Sequence, residues 1–219
     1  MIGELVKRDI TLARRSGGAW LLGVIFFALF ITFCVIAAGG ARDVLTLNGP
    51  SYIWLALLFA TLLSFGEIFS HDLSDGTLEQ LSLAGMSSLS MSVSKAISFL
   101  ILTLGPLFIL LPVFGVMLGL SVPRISGLAL SVLFAAPALA AYGVMAGALM
   151  ARRGKGGFLI ILISAPFLIP VLIFGLTAVE SYIELGIAAY EFRALAGLSL
   201  IALAIGLPAA AAALTANIE

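Results

Sequence analysis

His71, Asp72, Asp75 and Glu79 fall within the nine residues HDLSDGTLE of a chain otherwise almost bare of charge. Carboxylates beside an imidazole are the raw material of metal binding and of general acid–base chemistry. A census of the remaining residues supports neither. The 219 residues contain one His and one Cys, and no paired carboxylates lie deep in an apolar run. His71 stands alone at the end of an expected helix, so it has no constellation from which to build a nucleophilic triad. Gly154-Lys155-Gly156-Gly157 lacks both the upstream glycine spacing and the Ser or Thr of a phosphate loop. The chain is therefore expected not to be an enzyme, to hydrolyse no ATP alone and to hold no metal. The acidic segment calls for another explanation, and that depends on the elements carrying it.

Those elements are set by an apolar composition. Hydrophobic residues make up 62% of the chain and charged ones 10%, against roughly 45–50% apolar in soluble domains. So much apolar surface finds no interior in a single soluble domain of this size, and the expected solvent is lipid. The fold class is an all-α polytopic membrane protein, a single transmembrane domain over 1–219. A net charge of zero gives no reason to expect a nucleic-acid partner. Cys34, alone inside an apolar run, rules out an intrachain disulfide and reads as a small packed side chain.

Six runs are long enough to cross a hydrocarbon core of roughly 30 Å. They lie near 19–38, 50–70, 96–120, 125–150, 157–179 and 194–216. The first exceeds the h-region of a signal peptide and is expected to be retained. Backbone groups in lipid must satisfy one another, which makes such runs helices. Six spans place both termini on one side. With the amino terminus inside, Lys7, Arg8, Arg14, Arg15, Lys95, Arg152, Arg153 and Lys155 are inner, and Arg42, Arg124 and Arg193 are outer. That imbalance puts both termini, and the acidic segment, on the cytoplasmic side of the membrane. Arg152, Arg153 and Lys155 read as the anchor between spans four and five.

Three smaller features lie at or beyond the span ends. Residues 1–16 are too polar to span. Ile2, Leu5, Val6, Ile10, Leu12 and Ala13 fill one helical arc, and Lys7, Arg8, Arg14 and Arg15 fill the other. The pattern predicts an interfacial helix with cations on the lipid headgroups. Asp9 interrupts its apolar arc, so its carboxylate either reaches water, pairs with a neighbouring Arg, or contacts another helix or subunit. Glu67, one turn from the inner end of span two, either snorkels or pairs with a cation at the rim. Glu180 and Glu184, one turn apart in the outer loop 180–193, predict a short helix at the outer interface, as a solvated face or a docking surface for a partner. Pro106, Pro112, Pro137, Pro166, Pro170 and Pro208 each remove a backbone donor within a span. Gly115 with Gly119, and Gly143 with Gly147, allow close helix approach.

The acidic segment itself reads as a short cytoplasmic helix over 75–85, between spans two and three. Asp75 or Thr77 can cap it, and Thr77 with Gln80 has capping-box spacing. Leu78 and Leu81 lie along one side, Glu79, Gln80 and Ser82 on the others. A polar stretch through Ser87, Ser88 and Ser90 to Lys95 follows. Periodicity alone also allows a plain connector.

Asp75-Gly76-Thr77-Leu78-Glu79-Gln80-Leu81 resembles the cytoplasmic loop of ABC-2 permeases, and Asp72-Leu73-x-Asp75-Gly76-Thr77-Leu78-Glu79-Gln80-Leu81 is similar to the DLxDGxLEQL stretch of the heme exporter protein B (CcmB) family. Ile53-Trp54-Leu55-Ala56-Leu57-Leu58 is like that family's start of span two. Arg8-Asp9-Ile10-x-Leu12-Ala13-x-Arg15, Arg152-Arg153-Gly154 and Ala165-Pro166-x-Leu168-Ile169-Pro170-Val171-Leu172-Ile173-Phe174-Gly175 match in order. The resemblance implies an ABC transporter permease in cytochrome c maturation, with residues 75–81 as the element that couples it to a separate ATP-binding subunit. It also implies a homodimer, further membrane subunits, an outer-face heme chaperone, and heme as cargo. Heme wants an axial ligand, and no His lies in a span or on the outer side, so either heme passes through unligated or, as the preferred expectation, another subunit holds it while this one supplies motion. Rival expectations are a permease for a lipid, glycan or drug, and a passive scaffold for cytochrome assembly.

Overall fold

The computed structural model describes residues 2–15, 21–150 and 157–218. Arg152, Arg153, Gly154 and Lys155, and the side chains of Arg14 and Arg15, lie outside the described residues. The described chain is helical, with α1 Ile2–Arg15, α2 Leu21–Ala37, α3 Arg42–Phe65, α4 Ser70–Ser74 and α5 Thr77–Leu83. It continues with α6 Ser88–Phe99, a π-helical segment Leu100–Leu104, α7 Gly105–Met117, α8 Val122–Met150, α9 Gly157–Leu185 and α10 Tyr190–Ile218. Among the described residues, five stretches are long and apolar enough to cross a membrane, carried by α3, by α6 with α7, and by α8, α9 and α10. α2 is apolar but shorter, at 17 residues.

Several boundaries differ from those expected. Hydropathy marks only the part of a helix that lipid surrounds, and α3 begins at Arg42, with Asp43 in its first turn, where a carboxylate favours the helix dipole. The serine stretch is helix, not linker. Ser87 caps α6, its hydroxyl accepting from the Ser90 N–H at 3.2 Å. Ser92 and Ser94 face inward and donate to the carbonyls of Ser88 and Met91 at 2.9 and 2.7 Å, which satisfies their hydroxyls without water. The separate outer helix expected over 180–193 does not form. Tyr182, Ile183 and Glu184 prolong α9, and the reversal is confined to one 3₁₀ turn, Gly186–Ala188. Pro106 explains the π segment. A proline has no N–H and crowds the carbonyl four residues back, and the Gly105 N–H before it bonds instead to the Leu100 carbonyl, five residues back.

α8 is the buried centre, packed against α10, α9, α3, α6 and α7. Small residues along Ala138–Gly147 let its neighbours approach, and Phe65 of α3 lies over Gly143 and Gly147. At mid-bundle Trp54 of α3 is fully buried. Its indole N–H donates to Ser131 Oγ of α8 at 3.2 Å, and its ring occupies the space a Cβ on Gly175 of α9 would need. α3, α8 and α9 thus lock at one point. At the end of the bundle away from α1 and α5, Arg124 reaches Glu180 at 3.1 Å and the Thr46 carbonyl at 3.2 Å.

Candidate functional site

The acidic segment folds as two short helices around a turn. α3 ends at Phe65, residues 66–69 turn, and α4 carries His71 and Asp72. Gly76 then takes a left-handed conformation, φ 66°, and serves as the N-cap of α5, a geometry nearly reserved for glycine. Neither Asp75 nor Thr77 caps this helix, and no side chain does. The reason is the turn: the backbone position that a capping side chain would occupy is taken by a residue chosen for its positive φ.

Within α5 the side chains divide sharply. Leu78 is 1% exposed and joins the core, with Leu81 packed against it. Glu79, Gln80 and Ser82 face solvent, and Leu83 is 89% exposed. Leu78 is therefore the anchor that seats the helix on its own chain, while Glu79, Gln80 and Leu83 form the free face. An apolar side chain that exposed at the end of a polar turn is available to a partner.

Asp72 has a separate partner set. Its Oδ1 accepts from Arg8 Nη2 at 2.8 Å, and its Oδ2 lies 2.5 Å from Lys95 Nζ. Asp9 meets the same two cations, Arg8 at 2.9 Å and Lys95 at 3.1 Å. The four charges close a ring in which every edge joins opposite signs. Both carboxylates are buried and the cations partly so. The ring joins α1, α4 and α6, and Asp9 of α1 contacts its neighbour Arg8 and also another helix. Burial pulls the Arg8 guanidinium toward deprotonation, but the Asp9 and Asp72 carboxylates more than offset this and hold its pKa above the ordinary value.

Beside the ring lies a cavity of about 610 Å³ lined by α1, α2, α3, the α4–α5 segment and α6, with Leu22, Leu63, Phe99 and Leu102 among its apolar walls. Glu67 and His71 also line it, and both are exposed. Glu67 accepts from Ser70 Oγ at 3.1 Å and Asp75 from Ser74 Oγ at 3.3 Å, both local contacts. Glu184 is exposed at the far end. The sequence reading did not connect Asp72 with Lys95 and Arg8. The signal was there: a lone lysine near the start of an apolar run needs a counter-ion, and Asp72 was the acidic neighbour two residues past the preceding apolar run. No group of His, Cys, Asp and Glu among the described residues is arranged to hold a metal.

Comparison with known proteins covers the whole of this architecture. Heme exporter protein B of Bradyrhizobium diazoefficiens is 34% identical over 220 residues, covering 100% of this chain and 99% of that protein. The heme exporter protein B of Haemophilus influenzae is 34% identical over 81% of this chain and 80% of its own length. That of Escherichia coli is 30% identical over 83% and 82%. The sequence model of the family described as CcmB protein matches residues 1–217, which take in α1, the ring, α5 and every apolar helix, and the chain belongs to that family.

Proposed function

We propose that this chain is the membrane permease subunit of an ATP-driven complex of cytochrome c maturation in a bacterial inner membrane. It takes work from a separate ATP-binding subunit and applies it to heme export, or to release of a heme-loaded chaperone at the outer face. The observation that carries this reading is α5, a short helix seated by Leu78 and presenting Glu79, Gln80 and Leu83 to solvent, placed between two apolar helices. The heme exporter relatives supply the cargo class. The absence of a phosphate loop from the sequence makes the nucleotide site a partner's.

The mechanism follows from how α5 is held. Closure of the ATP-binding subunits displaces α5, and the displacement passes to α3 and α6, the apolar helices on either side of it. A helix so placed shifts the equilibrium of the spans only as far as the partner grips it differently in its two states. The complex contains two copies of this chain and further small membrane subunits, with both termini in the cytoplasm. Heme is cargo and is held by another subunit. The described residues place no His in the spans or at the far end, and His71 stands exposed at the α4 end.

Charge reversal tests this. In cells making the whole complex, Glu79→Lys and Leu83→Arg are expected to reduce mature c-type cytochrome at least about tenfold, as for loss of a contact worth roughly 1.4 kcal/mol. Co-purification of the ATP-binding subunit is read in parallel. Full maturation with both variants would overturn the coupling assignment and favour a passive scaffold.

A further inference from the structure

The ring of Arg8, Asp9, Asp72 and Lys95 is more than local charge satisfaction. α1 packs on α6, and the cavity separates it from α2 and α3. Arg8 to Asp72, at 2.8 Å, is a direct polar link from α1 to the segment carrying α5. Lys95 completes the link, reaching Asp72 of α4 and Asp9 of α1 from α6. Asp72 is thus the point where α4 is tied to both other helices, three residues before the turn that leads into α5.

We propose that Asp72 is a positioning residue for coupling, and that the four-charge ring makes α1, α4 and α6 move as one body when α5 is displaced. The proposal rests on the coupling role of α5 and adds a second arm to it. α1 is amphipathic, with Lys7 and Thr11 exposed and Val6 and Asp9 buried. A helix of that kind lies in the plane of the membrane surface. Through the ring, motion that starts at α5 displaces a rod lying across the inner leaflet, as well as the spans. The four ring residues also line the cavity, so its shape changes with the clamp.

Ring topology makes the proposal testable apart from stability. Asp72→Asn leaves two cations facing one carboxylate, Asp9. Asp72→Asn with Lys95→Met restores neutrality by leaving the Arg8–Asp9 pair, but it removes both ion pairs that tie α4 to α1 and α6 and leaves only a neutral amide acceptor facing Arg8. The experiment uses the assembled complex in lipid nanodiscs, in a Cys34→Ala background. Spin labels are placed at Thr11→Cys of α1 or at Ser82→Cys of α5, each measured against Leu185→Cys at the far end. These three positions are exposed.

ATP is expected to change both distances in the otherwise native complex. In Asp72→Asn the α5 change persists while the share of complexes showing the α1 change falls at least about fivefold, the lower end of ordinary coupling. The double variant is expected to regain thermal stability without regaining the α1 response, a split that a purely structural role would not produce. If α5 moves and α1 never does, or if the double variant restores the α1 response, the clamp is wrong and the coupling role of α5 stands. If α5 itself does not move, both fall.

Discussion

Trp54 and Gly175 meet face to ring across the α3–α9 contact, with the indole filling the volume that any side chain at 175 would need. Trp54 is fully buried and tethered by its N–H to Ser131, so it has no free rotamer into which to retreat. Gly175→Ala is therefore expected to destabilise the bundle by about 1–3 kcal/mol, the usual penalty for overpacking a filled interior. Thermal unfolding in detergent measures it. Trp54→Phe combined with Gly175→Ala should recover part of the loss, because the smaller ring leaves room for the added methyl.

That pair shows how much was legible in the sequence and why the rest was not. Ile53-Trp54 and Leu172-Ile173-Phe174-Gly175 were both recognisable as short family stretches, yet nothing in their spacing says that they touch. Contact between helices depends on rotation about their axes, and apolar residues all around a span leave that rotation unmarked. The helical class and the apolar runs followed from hydropathy, because lipid enforces helix. The helix over 75–85 was placed to within two residues at each end. Its cap was not, because Gly76 contributes through backbone conformation and not through a side chain. The buried ring was missed for a related reason. Asp9 and Lys95 lie far apart in sequence, and Asp72 read as one more member of an exposed acidic cluster.

Gly76 carries its own prediction. Its φ of 66° costs a β-carbon-bearing residue about 1–2 kcal/mol. The space around it is open, since an added Cβ would meet only Glu79 Oε2, at 3.6 Å. Strain, not collision, sets the effect. Gly76→Ala should lower the thermal midpoint, and Gly76→Asn should lower it less, because Asn tolerates the left-handed region better. Equal losses in the two variants would contradict the backbone explanation.

Arg8 predicts an insensitivity to pH. Its folded pKa is raised, so the stabilisation it contributes is fully present below the ordinary arginine range and is lost only as pH rises through the raised value. Working buffers lie far below that point. The stability difference between the native chain and Arg8→Met should therefore not be eroded by deprotonation of Arg8 between neutral and moderately alkaline pH. Parallel thermal melts across that interval test this, and a difference that vanished with a midpoint near neutrality would assign the contribution to another group.

Two carboxylates at the far end contrast exposed with buried pairing. Glu180 is more than half exposed where it meets Arg124, and a pair so hydrated contributes roughly 0–1 kcal/mol. Glu180→Ala should barely move the thermal midpoint. Glu191 is 3% exposed, its Oε1 accepts from Ser181 Oγ at 2.6 Å, and among the described residues its Oε2 has no partner. Ser181 is thus the donor that makes this carboxylate tolerable between α9 and α10. Ser181→Ala should cost about 1–3 kcal/mol, the penalty for leaving a buried acceptor unsatisfied. Glu191→Leu combined with Ser181→Ala should recover much of the loss, because it removes the buried acceptor together with its donor. A Ser181→Ala variant as stable as the native chain would show that water already reaches Glu191, and that this end of the bundle is wetter than its packing implies.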